Sequence, residues 1–194
     1  VLVTWIGLLA NLGLAVMKGV IGFLTQSSAL IADAGHSFSD LFSDLITLWS
    51  LRFSRQPRDQ SHPYGHGRFE TVGAFLISVM LVLTGAGIVW HTLERVEQPA
   101  VPGELALWGA GISILIKEML YQVTHRVGRK SRSRVLTANA WHHRSDAVSS
   151  IAALIGIGGA QFGWPLLDPI AGFLVAGLII KSGVDIGNES IREL

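Results

Sequence analysis

Long apolar stretches separated by short polar links make up most of the chain. Six segments, roughly 1–24, 28–53, 70–92, 104–126, 135–160 and 166–187, are apolar over enough residues to cross about 30 Å of hydrocarbon as helices rising about 1.5 Å per residue. The links between them are unequal. Residues 25–27 and 161–165 are tight and uncharged, whereas 54–69 form a longer polar loop with Pro57, Pro63, Gly65 and Gly67. Residues 94–103 are acidic and hold Pro99 and Pro102, and residues 127–134 are strongly basic. The pattern predicts an all-α membrane protein with six transmembrane helices in a single domain over 1–194.

Composition supports that class. Charged residues are 15% of the 194, against about 25% in soluble domains, and mean hydropathy is +0.46. The net charge of +1 argues for no acidic partner, so placement of charge matters more than its sum. Arg52, Arg55, Arg58 and Arg68 lie in or beside the second-to-third link, and Arg126, Arg129, Lys130, Arg132 and Arg134 in or beside the fourth-to-fifth. The other three links hold only Arg95. The excess of Lys and Arg places those two links, and with them both termini, on the cytoplasmic side or its organellar equivalent. Val1 opens directly into an apolar segment without a charged n-region or cleavage site, which reads as a trimmed end rather than a signal peptide.

The second segment changes the picture. It carries Asp33, His36, Asp40 and Asp44 at membrane depth, where each ionisable group costs at least ~2.5–3.5 kcal/mol on insertion scales. His36, Asp40 and Asp44 recur every four residues and so share one helix face. The fifth segment repeats the pattern with His142 and Asp146. Two His-x3-Asp pairs on antiparallel helices, each about halfway along its segment, can meet near the midplane. With no cysteine in the chain, a metal site must use nitrogen and oxygen. Two imidazoles and two carboxylates suit tetrahedral Zn²⁺. The plainer alternative is hydrogen bonding between buried polar groups, although such contacts usually use Ser, Thr or Asn.

Other residues are less determined by spacing. Asp44, one turn nearer the cytoplasm, fits either an access step or an outer contact that holds a ligand histidine; pairing with Arg144 is the alternative. Arg144 itself is expected to pair with a carboxylate, and Lys18 to snorkel or to pair with a buried one. His143 points about 100° away from His142 and is not expected on the same ion. In the loop, Asp59, His62 and His66 form a candidate cytoplasmic metal set, since Pro63 and Gly65 bend the chain between them; solvated loop histidines are the alternative. No HExxH, Gly-rich phosphate loop or Glu-x-x-His pair is present, so the sequence points away from an enzyme. The basic link lacks interleaved aromatics and reads as a topology signal and lipid-headgroup contact rather than a nucleic-acid surface.

Six spans, His-x3-Asp in the second, HPYGHGRFE leading into the third and NAWHHRSDAVSS in the fifth together resemble the cation diffusion facilitator family of zinc transporters and metal tolerance proteins, over essentially the whole chain. The resemblance implies a cation-efflux-type bundle with His36, Asp40, His142 and Asp146 as the transport site. It implies that Asp59, His62 and His66 match a loop metal site of bacterial relatives, and that a homodimer exchanges a divalent cation for protons. A histidine at His36 leans toward zinc, while the HPYGHGRFE and WHHRSD wording also resembles members linked to iron or manganese, including organellar ones. Family members usually continue into a cytoplasmic α/β domain after the sixth span, where this chain stops at Leu194; that domain is expected to be cut away or disordered, or to be lacking in this member.

The expected activity is therefore proton-coupled export of Zn²⁺ from the cytoplasm, with Fe²⁺ or Mn²⁺ as the alternative cargo. An intramembrane zinc enzyme and a passive cation channel are the rivals from other classes.

Overall fold

The computed structural model describes residues 2–54, 56, 66–97, 100–130 and 134–193, with backbone alone for 2–4, 51 and 134–139. Among the described residues six helices follow one another: α1 (Leu2–Thr25), α2 (Ser28–Ser54), α3 (Arg68–Glu97), α4 (Glu104–Lys130), α5 (Arg134–Gln161) and α6 (Leu167–Glu193). They coincide with the six predicted segments. The main differences are at the ends, where α3 and α6 run several residues beyond the apolar stretch. Those extra turns are polar and extend past the length that hydrocarbon alone requires.

By length and composition alone, residues 5–25 of α1, α3 and α6 are apolar enough to cross a membrane. The other three helices are as long, but ionisable groups interrupt their apolar runs, and several of these turn inward. Asp33 of α2, Lys117 of α4 and Asp146 of α5 are buried inside the bundle. Large apolar side chains face outward instead, among them Trp5, Leu9, Leu83, Leu115 and Ile155. An exterior more apolar than the interior is what lipid as solvent selects.

Two turns close α1 and α5 by the same device. Gln26 takes a left-handed φ of 57°; its N–H bonds to the Phe23 carbonyl and the Ser27 N–H reaches back to Gly22. Gly163, with φ 102°, does the same after α5, through Ala160 and Gly159. Both are Schellman ends, which satisfy the last helix carbonyls in a very short link. At this end of the bundle the links touch one another. Arg95 Nη1 donates to Gln26 Oε1 at 3.2 Å, and Gln161 Nε2 donates to the Pro102 carbonyl at 3.0 Å.

The start of α2 is clamped from α6. Ser27 Oγ accepts from the Leu30 N–H, which caps the helix, and donates to Asp168 Oδ1 at 2.6 Å. The Ser28 N–H donates to Asp168 Oδ2 at 2.6 Å. Two apolar clusters then flank α2. One joins Ala29 and Leu30 to Ala106, Ala153 and Ile157; the other joins Ala32 to Ile77, Leu81, Val175 and Ile179. Close approach makes this packing possible. A Cβ at Gly156 would lie 2.4 Å from the Ala171 Cβ, and one at Gly85 would lie 2.4 Å from Ile180 Cγ1. The fold thus holds α2 between two packed groups, with its polar face turned toward α5.

Candidate metal centre

Asp40 and Asp146 fall near the midpoints of α2 and α5, so the antiparallel helices bring them to one depth. Single ligand atoms of His36, Asp40 and Asp146 lie within 4.8 Å of one another. His36 Nε2 is 3.8 Å from Asp40 Oδ2, and His142 Nε2 is 3.8 Å from Asp146 Oδ1. A tetrahedral ion with ligands near 2.1 Å holds them about 3.4 Å apart, so modest side-chain closure would enclose one. Asp40 Oδ2 and His36 Nδ1 are buried without a hydrogen-bond partner. Burying such atoms unpaired is costly, and a cation is a natural partner for the carboxylate. These residues border a cavity of about 540 Å³ between α2, α3, α5 and α6, which Ser43, Thr47 and Ser149 also line.

The four predicted residues are not equivalent. His36, Asp40 and Asp146 converge; His142 adjoins Asp146 but lies outside that trio, with its side chain 44% exposed. Asp44 is exposed one turn along α2 and is not of the trio. His66 is buried and stacked on Phe69, with ring centroids 5.6 Å apart, next to Phe53 and Trp49. Asp59 and His62 lie outside the described residues. His143 turns toward α1, where a Cβ on Gly7 would lie 3.5 Å from its Nε2.

Asp33 has a different occupation. Its Oδ2 accepts from Lys18 Nζ at 3.0 Å and Ser150 Oγ at 2.7 Å, and its Oδ1 accepts from Ser149 Oγ at 2.8 Å. Lys18 also donates to Ser37 Oγ at 2.6 Å and to the Asp33 carbonyl. This network ties α1, α2 and α5 together beside the centre, and it decides the Lys18 alternatives in favour of a buried carboxylate. Arg144 corrects its expectation. Rather than a carboxylate, it covers the Tyr121 ring at 4.8 Å and the Trp141 ring at 5.5 Å, and donates to Tyr121 Oη at 3.2 Å. On the exposed side of α5 these are its partners among the described residues, and aromatic faces accept a guanidinium well.

Lys117 is absent from the sequence-based site. It stands at the midpoint of α4, 1% exposed, and its Nζ donates to Asp146 Oδ2 at 2.5 Å. The signal was present: a lysine midway along an apolar segment meets the same insertion cost that singles out His36. What periodicity cannot tell is which carboxylate it faces.

The profile of the cation efflux transmembrane domain matches residues 4–194. The chain belongs to the cation efflux family. This family member is 46% identical to metal tolerance protein C1 of Arabidopsis thaliana, over 97% of its own length and 44% of that protein's. It is 38% identical to mitochondrial metal transporter 2 of Saccharomyces cerevisiae, over 99% of its length and 45% of the relative's. Magnetosome protein MamB of Magnetospira sp. is 33% identical, over 99% of the chain and 66% of that protein. The cation efflux chain thus spans about half the length of the first of these relatives, and it is a membrane protein, as its apolar helices independently indicate.

Proposed function

We propose that the chain is the membrane part of an antiporter that exports Zn²⁺ from the cytoplasm, to the outside or into an organelle, in exchange for protons. The observation that carries this reading is the meeting of His36, Asp40 and Asp146 at mid-depth, from two helices, with buried polar atoms that lack partners. His142, beside Asp146, completes a two-imidazole, two-carboxylate set once its side chain swings inward. Histidine and aspartate release protons when they bind a metal, so one site exposed alternately to each side exchanges one for the other. Rocking of helices about a midplane site supplies that access. The basic links at the end shared by both termini support a cytoplasmic location for that end. Family likeness supports a homodimer, and a loop set of Asp59, His62 and His66 that gathers ions at the cytoplasmic mouth. Asp44 fits a step between that mouth and the centre. We read the protein as a transporter and not as an enzyme.

A second cargo reading rests on one detail. The converging trio offers one imidazole and two carboxylates, with His142 outside it, and the harder oxygen-rich set suits Mn²⁺ or Fe²⁺ better than four mixed ligands do. The test is metal-dependent proton flux in liposomes holding the purified protein, measured with Zn²⁺, Mn²⁺, Fe²⁺, Co²⁺ and Cd²⁺. Proton efflux driven best by Zn²⁺ supports zinc antiport. Metal passage without any proton counterflux refutes antiport and identifies a channel.

A further inference from the structure

Two lysines are buried in the middle of the bundle, and their partners differ in kind. Lys18 is held by Asp33, whose carboxylate also accepts from Ser149 and Ser150 and is not a member of the converging trio. Lys117 is held by Asp146, which is a member of the converging trio and borders the cavity. Asp146 therefore has two claimants. One carboxylate oxygen, Oδ2, accepts from the ammonium, while Oδ1 faces His142. A divalent ion bound through Asp146 would lie a few ångströms from this ammonium, were it to stay in place, in a region of low dielectric where such repulsion is poorly screened.

We infer that Lys117 is a tethered cation that competes with the transported metal for Asp146, because its ammonium already occupies a carboxylate of the trio from the facing helix α4. This rests on the site reading proposed above and adds to it the device that sets affinity. Lysine suits the role, being a compact point charge on a flexible stem that can withdraw when the metal arrives and return when it leaves. Its return does two things. It weakens the hold on the ion, which favours release, and it keeps Asp146 from standing as a bare buried charge while the unloaded carrier changes the side it opens to. A buried carboxylate without a partner is the costly state that this avoids. Lys117 is thus a positioning residue for the cycle. It is not a ligand, since a protonated amine has no lone pair to offer.

A merely structural role predicts the opposite sign. If Lys117 only holds Asp146 in place, removing it should loosen the site and weaken metal binding. If it competes, removing it should tighten binding while slowing turnover. The experiment is Lys117→Met, with Lys117→Gln as a second variant that keeps a hydrogen-bond donor should the apolar one not fold. Zn²⁺ affinity is read by calorimetry in detergent at one fixed pH, and uptake kinetics are read in liposomes. We expect the folded variant to bind Zn²⁺ at least about fivefold tighter, with a lower KM and a kcat reduced by a similar factor. Unchanged or weaker affinity in a folded variant overturns the inference. Asp40→Ala serves as the reference for the underlying site, since Asp40 is no partner of Lys117 among the described contacts. Loss of binding there, with Lys117→Met unchanged, refutes the tethered cation alone; wild-type binding in Asp40→Ala refutes the site and the inference together.

Discussion

Asp33→Ala strands a fully buried lysine, and the size of the effect can be worked out from its surroundings. Lys18 is 0% exposed and donates to Asp33 Oδ2, the Asp33 carbonyl and Ser37 Oγ. Removing one partner of a buried ion pair typically costs about 3–5 kcal/mol. An upper bound comes from neutralising the amine, which costs about 4.6 kcal/mol at pH 7 for an ordinary lysine. The two hydroxyl bonds from Ser149 and Ser150 are lost as well, at about 0.6 kcal/mol each within a membrane bundle. The surviving bonds to Ser37 and to the backbone offset part of this. The net expectation is about 3–5 kcal/mol, read as a shift in unfolding midpoint in mixed micelles. Lys18→Met in the Asp33→Ala background should recover most of it, because the stranded charge then disappears. A loss below about 1 kcal/mol, or a double variant no more stable than Asp33→Ala, would refute the assignment of Asp33 to a structural network.

Asp168→Ala removes both carboxylate acceptors from the start of α2; bonds to a charged group contribute about 1.5–3 kcal/mol each, so thermal stability should fall markedly while the ratio of zinc to manganese transport stays put. His36→Asp turns the converging trio into three carboxylates, and competition transport should show the zinc-to-manganese ratio falling about tenfold, or about 1.4 kcal/mol; an unmoved ratio would remove His36 from the ligands. Arg144→Ala loses contacts with Tyr121 and Trp141 at the outer side of α5, a change of about 0.5–1 kcal/mol in stability, and transport should stay within about twofold of wild type. A complete loss of transport in that variant would mean that Arg144 acts on the centre after all.

Helix existence and extent were legible because a bilayer demands helices of about 20 residues, and six long segments parted by short polar links leave little freedom, although among the described residues only 5–25, α3 and α6 are apolar enough by themselves. The two His-x3-Asp pairs were legible for a similar reason: a four-residue period holds side chains on one face, and equal depth follows from antiparallel order. What spacing along one helix does not carry is rotation against a neighbour. Arg144 was expected on a carboxylate, yet the rotation of α5 turns it toward Tyr121 of α4. Lys117 and Asp146 meet by the same inter-helix geometry, and nothing local to either residue announces the other. Asp33 shares a helix with His36 and Asp40 but faces α1 and the serines of α5, so similar chemistry along one helix divides into a structural network and the converging trio. Asp168 escaped notice because a carboxylate at a helix start looks like an ordinary cap, whereas here it caps the start of another helix.

Asp40→Ala gives the most direct measurement of the central claim. Asp40 lies in the converging trio, its Oδ2 has no hydrogen-bond partner, and no buried lysine pairs with it, so the substitution removes a proposed ligand without stranding a charge. Calorimetric Zn²⁺ titration of the folded variant, paired with zinc-driven proton flux in liposomes, should show midplane binding lost and both fluxes at background. Zinc binding and proton-coupled uptake at wild-type levels in Asp40→Ala would contradict the account.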